Sequence, residues 1–197
     1  MLQSVFRLLN GLPIPEDPDV DVSLDPPWLF GASTYKSPGV INHALINHTM
    51  IQLPDNLQGP ALDMTDDQLR QSWFAFEQAL IFSRAHFKRS HFVLVYIPSV
   101  LSMYDIQGET VSVQGYEGRK SSFALSDVRQ SSLLMRKRFH EVAITQGLPM
   151  IDTTELLQAT AQNQTLHGPE DWNHLNRKGY EVLTEAIMHN MDQQYLK

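Results

Sequence analysis

Leu69, Trp73, Phe76 and Leu80 recur at the three- and four-residue intervals of a helix with one apolar face. Just ahead of them, Thr65-Asp66-Asp67-Gln68 fits a capping box, in which side chains satisfy the first orphan N–H groups of a helix. The acidic pair also suits the positive end of the helix dipole. The pattern predicts a helix over 65–88 whose aromatic stripe lies in a core. The next apolar stretch is continuous. Phe92, Val93, Leu94, Val95, Tyr96 and Ile97 run without a polar break to Pro98. Such a run predicts a strand buried on both faces, as in a parallel sheet.

A polar, glycine-containing excursion over 99–122 follows. A second helix is expected over 126–146, with Gly147 as its left-handed stop. Pro149-Met150-Ile151-Asp152 reads as a short strand, and Thr153-Thr154 as the start of a helix through Ala161. The last helix starts near Asn176 and turns Leu175, Val182, Leu183, Ala186 and Ile187 inward. Helix, buried strand, helix, strand, helix is the rhythm of a three-layer α/β fold with parallel strands. Two strands are few for such a sheet. Either the proline-rich arm supplies more strands, or the sheet is incomplete on its N-terminal side and is completed by an upstream segment or by another copy of the chain.

The first part of the chain contrasts with this order. Eight of the eleven prolines fall within the first 60 residues, and proline interrupts both helices and ladders. Residues 1–64 are read as a loop-dominated arm packed on the core, and residues 65–197 as the α/β domain. Composition agrees with one soluble-type domain of 197 residues, 42% hydrophobic and 19% charged. A formal net charge of −7 argues against nucleic acid as a partner. Arg136-Lys137-Arg138, with Arg129 upstream, reads as a solvated helix face. The chain has no cysteine, which excludes disulfides, thiolate metal sites and a cysteine nucleophile but fixes no compartment. No run reaches the length of a membrane-spanning helix.

The chemistry concentrates near the C-terminus, in Asp171-Trp172-Asn173-His174-Leu175-Asn176. A serine hydroxyl needs a base within hydrogen-bond reach, and histidine titrates near operating pH. A carboxylate on the second ring nitrogen sets the tautomer and steadies the imidazolium. Asp171 and His174, three apart on a loop, can form that pair. Asn176 is placed to cap the final helix, and Gly179 to allow close backbone approach. The plainer alternative is that Asp171 caps a turn while His174 is a surface or core histidine. His167 is near in sequence. His43 and His48, five apart, offer no helical ligand face, and no metal or cofactor is called for.

Ile151-Asp152, the following helix, and Asp171-x-x-His174-Leu-Asn-x-x-Gly ahead of an amphipathic helix together resemble the C-terminal end of SGNH/GDSL hydrolases. The strand Val93-Leu94-Val95-Tyr96-Ile97-Pro98-Ser99 with Tyr104 after it, and Gly147-Leu148-Pro149 before the short strand, fit the same layout. The resemblance covers residues 69–188, the second half of such a domain. It implies a three-layer flavodoxin-like fold, with Asp171 as triad acid and His174 as base.

The same resemblance implies a serine nucleophile in a Gly-Asp-Ser block and an oxyanion Asn in a Gly-x-Asn-Asp block. Neither block occurs in this chain, and both precede the matched region in the family. Gly31-Ala32-Ser33 is a partial echo of the first, which makes Ser33 the candidate nucleophile within the chain, against the reading of a plain loop serine. Ser99, at the end of the apolar strand, is read as a strand exit. The implied activity is ester hydrolysis or acyl transfer on a small-molecule, lipid or carbohydrate ester, without cofactor. The rival from another class is a non-catalytic α/β module for binding or assembly.

Overall fold

The computed structural model describes residues 41–59, 61–115 and 118–195. Ser33, with most of the expected arm, lies outside the described residues. The chain divides into two units, one containing Met64–His91 and the other the described residues of Ser37–Asp63 and Phe92–Lys197.

The first unit contributes helix α1, Asp66–His86. Its capping box forms: the Thr65 hydroxyl accepts the Gln68 N–H at 3.3 Å, and Gln68 Oε1 accepts the Thr65 N–H at 2.8 Å. The expected core stripe does not follow. None of the helix's 21 residues is buried; Leu69, Trp73, Phe76 and Leu80 are half-buried and Phe74 is exposed. Periodicity records which face of a helix is apolar. It does not record whether another element closes over that face.

The second unit is mixed α/β with small sheets. Strands β1, Asn42–Ile46, and β2, Thr49–Leu53, form a hairpin. Asn47 and His48 form its two-residue turn with positive φ at both positions, the twist-matched geometry for a tight hairpin. This corrects the expectation of a loop-dominated segment, since 42–53 holds no proline. The polar excursion is also structured. After β3, Leu94–Tyr96, which comes from the apolar run itself, the excursion forms α2, Val100–Met103, β4, Asp105–Gln107, β5, Thr110–Gln114, and the start of β6, Lys120–Ala124. Strand β4 joins β1 antiparallel in a three-stranded sheet of order β2-β1-β4, while β5 and β6 pair with each other.

Helix α3, Leu125–Gln146, ends as expected on Gly147 in the left-handed conformation at φ 60°. It leads to β7, Met150–Asp152, which pairs in parallel with β3: Leu94 opposite Met150, Val95 opposite Ile151, Tyr96 opposite Asp152. The predicted parallel pair therefore exists, joined through a crossover that contains α3. The prediction that β3 is buried on both faces does not hold. Val95 is 39% and Ile97 46% exposed, while Ile151 opposite is 1% exposed. Among the described residues β3 has one neighbour strand, β7. Helices α4, Thr154–Ala161, and α5, Arg177–Tyr195, complete the unit.

One apolar cluster spans these pieces. Leu53 and Leu57 from the hairpin side, Ile106, Val111 and Val113 from the middle strands, and Leu157 and Leu166 near the C-terminus are all at most 2% exposed. Burial of such a side chain contributes about 2 kcal/mol. Asn42 is polar yet buried because both ends of its amide are bonded: Nδ2 donates to Pro54 O and Ser112 O, and Oδ1 accepts the Ser112 N–H. That clamp joins β1 to β5 across 70 residues. The basic run on α3 is split by its surroundings. Lys137 is exposed, but Arg136 turns to the Asp152 carboxylate at 2.5 Å and ties α3 to the end of β7. No helix among the described residues is long and apolar enough to cross a membrane.

Candidate active site

The segment between α4 and α5 carries Asp171 and His174 on a loop with a closed base. Leu166, fully buried, anchors it. His167 and Leu175 form an antiparallel bridge across the neck, and the Asn176 N–H reaches Leu166 O at 2.8 Å. Asn176 then acts as the expected cap. Its Oδ1 accepts the Gly179 N–H at 3.0 Å, three residues on, where α5 begins. Its Nδ2 donates back to Thr165 O and His167 O. One side chain thus starts the helix and staples the loop.

Two glycines permit this closure. At Gly179 an added Cβ would lie 2.3 Å from Leu166 O, so α5 can pass the neck only without a side chain there. At Gly168 φ is +67°, and an added Cβ would lie 2.5 Å from Trp172, whose indole packs against the core.

Beyond the neck the loop projects outward. Asp171 Oδ1 accepts the Asn173 N–H at 2.8 Å, a short turn that aims the carboxylate. Asn173 in turn accepts the Gln58 N–H at 2.9 Å, which fixes the outer loop to the chain after β2. Asp171 Oδ2 then meets His174 Nδ1 at 2.5 Å. Partial burial opposes ionisation of Asp171, but the hydrogen bonds from His174 and the Asn173 N–H outweigh it and hold its carboxyl below the usual carboxylate range. The carboxylate is therefore the acceptor and His174 Nδ1 carries the proton. In the neutral ring the lone pair is left on Nε2. That nitrogen makes no hydrogen bond among the described residues, and the His174 side chain is 60% exposed. In this arrangement a carboxylate orients the imidazole through one ring nitrogen and leaves the other as a free acceptor among the described residues.

No family model, curated protein or solved structure matches this chain.

The remaining sequence candidates fall elsewhere. Ser33 is outside the described residues. Ser99 is engaged in a hydroxyl chain: Ser132 donates to Val128 O, which leaves Ser102 to donate to Ser132 at 2.6 Å and Ser99 to Ser102 at 2.8 Å. Its proton is committed inward, as befits a strand exit. His43 lies on β1 and His48 in the hairpin turn. Among the described residues no three His, Asp or Glu side chains gather as a metal site.

His167 is the histidine that sequence proximity undersold. It is 4% exposed, and burial pushes its pKa down to about 4; the His174 ring adds to this while the Asp171 carboxylate opposes it. At neutral pH it is uncharged. Protonation is favoured in the unfolded chain below about pH 6.5 but in the folded chain only near pH 4. The stability this group contributes is thus complete above pH 6.5 and lost as the pH falls towards 4. Acidification from pH 7 to about 4.5 is expected to cost about 2 kcal/mol more in wild type than in His167→Gln, read as the shift of the urea midpoint. Equal acid sensitivity of the two proteins would remove His167 as a source of the dependence.

Proposed function

We propose that this chain carries the acid and base of an SGNH/GDSL-type serine hydrolase acting on a small-molecule, lipid or carbohydrate ester. The observation that supports it most is the 2.5 Å contact between Asp171 and His174 Nδ1, on a His174 side chain that is largely exposed. In this reading a serine hydroxyl donates its proton to His174 Nε2 as its oxygen attacks the ester carbonyl. Asp171 holds the Nδ1–H and stabilises the imidazolium. His174 then protonates the departing alkoxide, leaving an acyl-serine. A water, or an acceptor alcohol for acyl transfer, is deprotonated by the same nitrogen and releases the acyl group. Ser33 is the candidate nucleophile within the chain.

The fold proposal follows the same line. The β3–β7 parallel pair with its crossover is one unit of a three-layer flavodoxin-like sheet, extended beyond β3 by another segment or another copy. The pairing of β3 with one strand only, β7, among the described residues supports this. It equally supports the second reading, a non-catalytic α/β module that assembles through this edge.

A fluorophosphonate probe separates the two. The hydrolase reading expects labelling of one serine, mapped by mass spectrometry, that disappears in His174→Ala. Labelling of Ser33 would place the nucleophile in this chain. A protein that takes up no probe and hydrolyses no ester, while forming a defined oligomer, would be the assembly module instead.

A further inference from the structure

We propose that the Tyr104 hydroxyl is the positioning group of the Asp171–His174 loop, acting through a neutral His167 held in one tautomer. The proposal rests on the acid–base reading of Asp171 and His174. Tyr104 comes from the turn between α2 and β4, more than 60 residues before the loop. Its ring is 5% exposed. The phenol oxygen accepts the Leu166 N–H at 2.6 Å and the His167 N–H at 3.1 Å, and lies 3.1 Å from His167 Nδ1.

Proton accounting assigns the third contact. A phenol has one proton and two lone pairs. The two backbone N–H groups occupy the lone pairs, so the proton goes to His167 Nδ1. That nitrogen must then be the acceptor, and the ring's own proton sits on Nε2. The two histidines of the loop are consequently held in opposite tautomers, Nε2–H at His167 and Nδ1–H at His174.

The hydroxyl grips the neck at the point of most leverage. His167 bridges Leu175, the residue beside His174, and the His167 carbonyl is bonded by the Asn176 side chain. Asp171 and His174 are themselves mostly exposed, so little packing holds them directly. Their mutual geometry is inherited from the neck. Removing the hydroxyl strands two buried backbone donors and leaves His167 Nδ1 without its proton donor.

The test is Tyr104→Phe in the full chain, followed by ¹⁵N spectra of the imidazoles and amide exchange near neutral pH. The expected result is faster exchange at Leu166 and His167 by about 10- to 100-fold. His167 should lose its fixed Nε2–H signature, and His174 its pure Nδ1–H signature. Val142→Ala, a core truncation in α3, serves as the control for lost stability alone and should leave both signatures intact. Should Tyr104→Phe fail to fold, His167→Gln and His167→Leu carry the test. Glutamine offers an acceptor to the phenol and should retain the His174 signature, whereas leucine should not. An unchanged His174 spectrum in Tyr104→Phe, or equal spectra in the glutamine and leucine variants, overturns the proposal. These readings need no substrate. Ester hydrolysis that survives His174→Ala in protein containing the nucleophile, together with the expected signatures, would remove the hydrolase reading and leave the positioning role standing.

Discussion

Replacing His174 with alanine is expected to lower kcat for a short-chain p-nitrophenyl ester by a factor on the order of 10⁶, the scale seen when the base of a serine-protease triad is removed. The comparison is made in protein that contains the nucleophile, whether Ser33 or a serine from another segment. The reason is the division of labour in the loop. His174 Nε2 has no partner among the described residues and is the only ring nitrogen of the pair open to a substrate-side proton. The neighbouring histidine offers no substitute, because His167 Nδ1 faces the Tyr104 hydroxyl. Asp171→Asn is expected to cost less, about 10⁴-fold, since an amide favours the wrong tautomer but leaves the base in place. KM should change little in either variant, as neither group is needed for ground-state binding of the ester. Activity within a few-fold of wild type in His174→Ala would end the assignment.

Gly179→Ala is expected to destabilise the fold by about 3 kcal/mol or more, measured from the urea midpoint. Helix propensity alone predicts the opposite sign, a gain of about 1 kcal/mol for alanine over glycine inside a helix. The steric term decides the sign. The new methyl would sit 2.3 Å from Leu166 O, with Leu175 side-chain atoms at 2.8 and 3.0 Å. A backbone carbonyl at the neck cannot swing aside as a flexible side chain could. Relief requires α5 to move away from the loop, which breaks the Asn176 cap and the His167–Leu175 bridge together. A variant as stable as wild type would show that the neck is not the constraint the geometry indicates. The two experiments are independent, because the second concerns the frame of the site and the first its chemistry.

What was legible along the chain was local. The capping box at Thr65, the stop at Gly147 and the cap at Asn176 are satisfied by atoms a few residues away. The pairing of Asp171 with His174 was legible in the same way, since a three-residue spacing on a turn puts the two side chains within reach of each other. The β1–β2 hairpin was missed although its turn was visible in Asn47, a residue that tolerates positive φ. The density of prolines on either side drew attention from the proline-free stretch. The β5–β6 pair was missed for a different reason. Residues 120–124 read Lys-Ser-Ser-Phe-Ala, with too few apolar positions to show a strand period, and its partner strand supplies the buried valines Val111 and Val113.

The sequence by itself determined where α1, α3, α4 and α5 start and stop to within a few residues, that Asp171 and His174 share one loop, and that two strands would pair in parallel. These follow from backbone capping, side-chain periodicity and short loop closure, all of which act within a few residues. Only the tertiary structure decided which faces are covered and which groups hold the loop. The stripe on α1 and the run on β3 are apolar in sequence, yet both are partly open, because burial depends on an opposing surface that no local pattern encodes. The contacts that Tyr104 makes with the loop leave no signal in its own neighbourhood. Its role exists because the fold brings a phenol oxygen from one end of the unit to two backbone N–H groups and an imidazole more than 60 residues away.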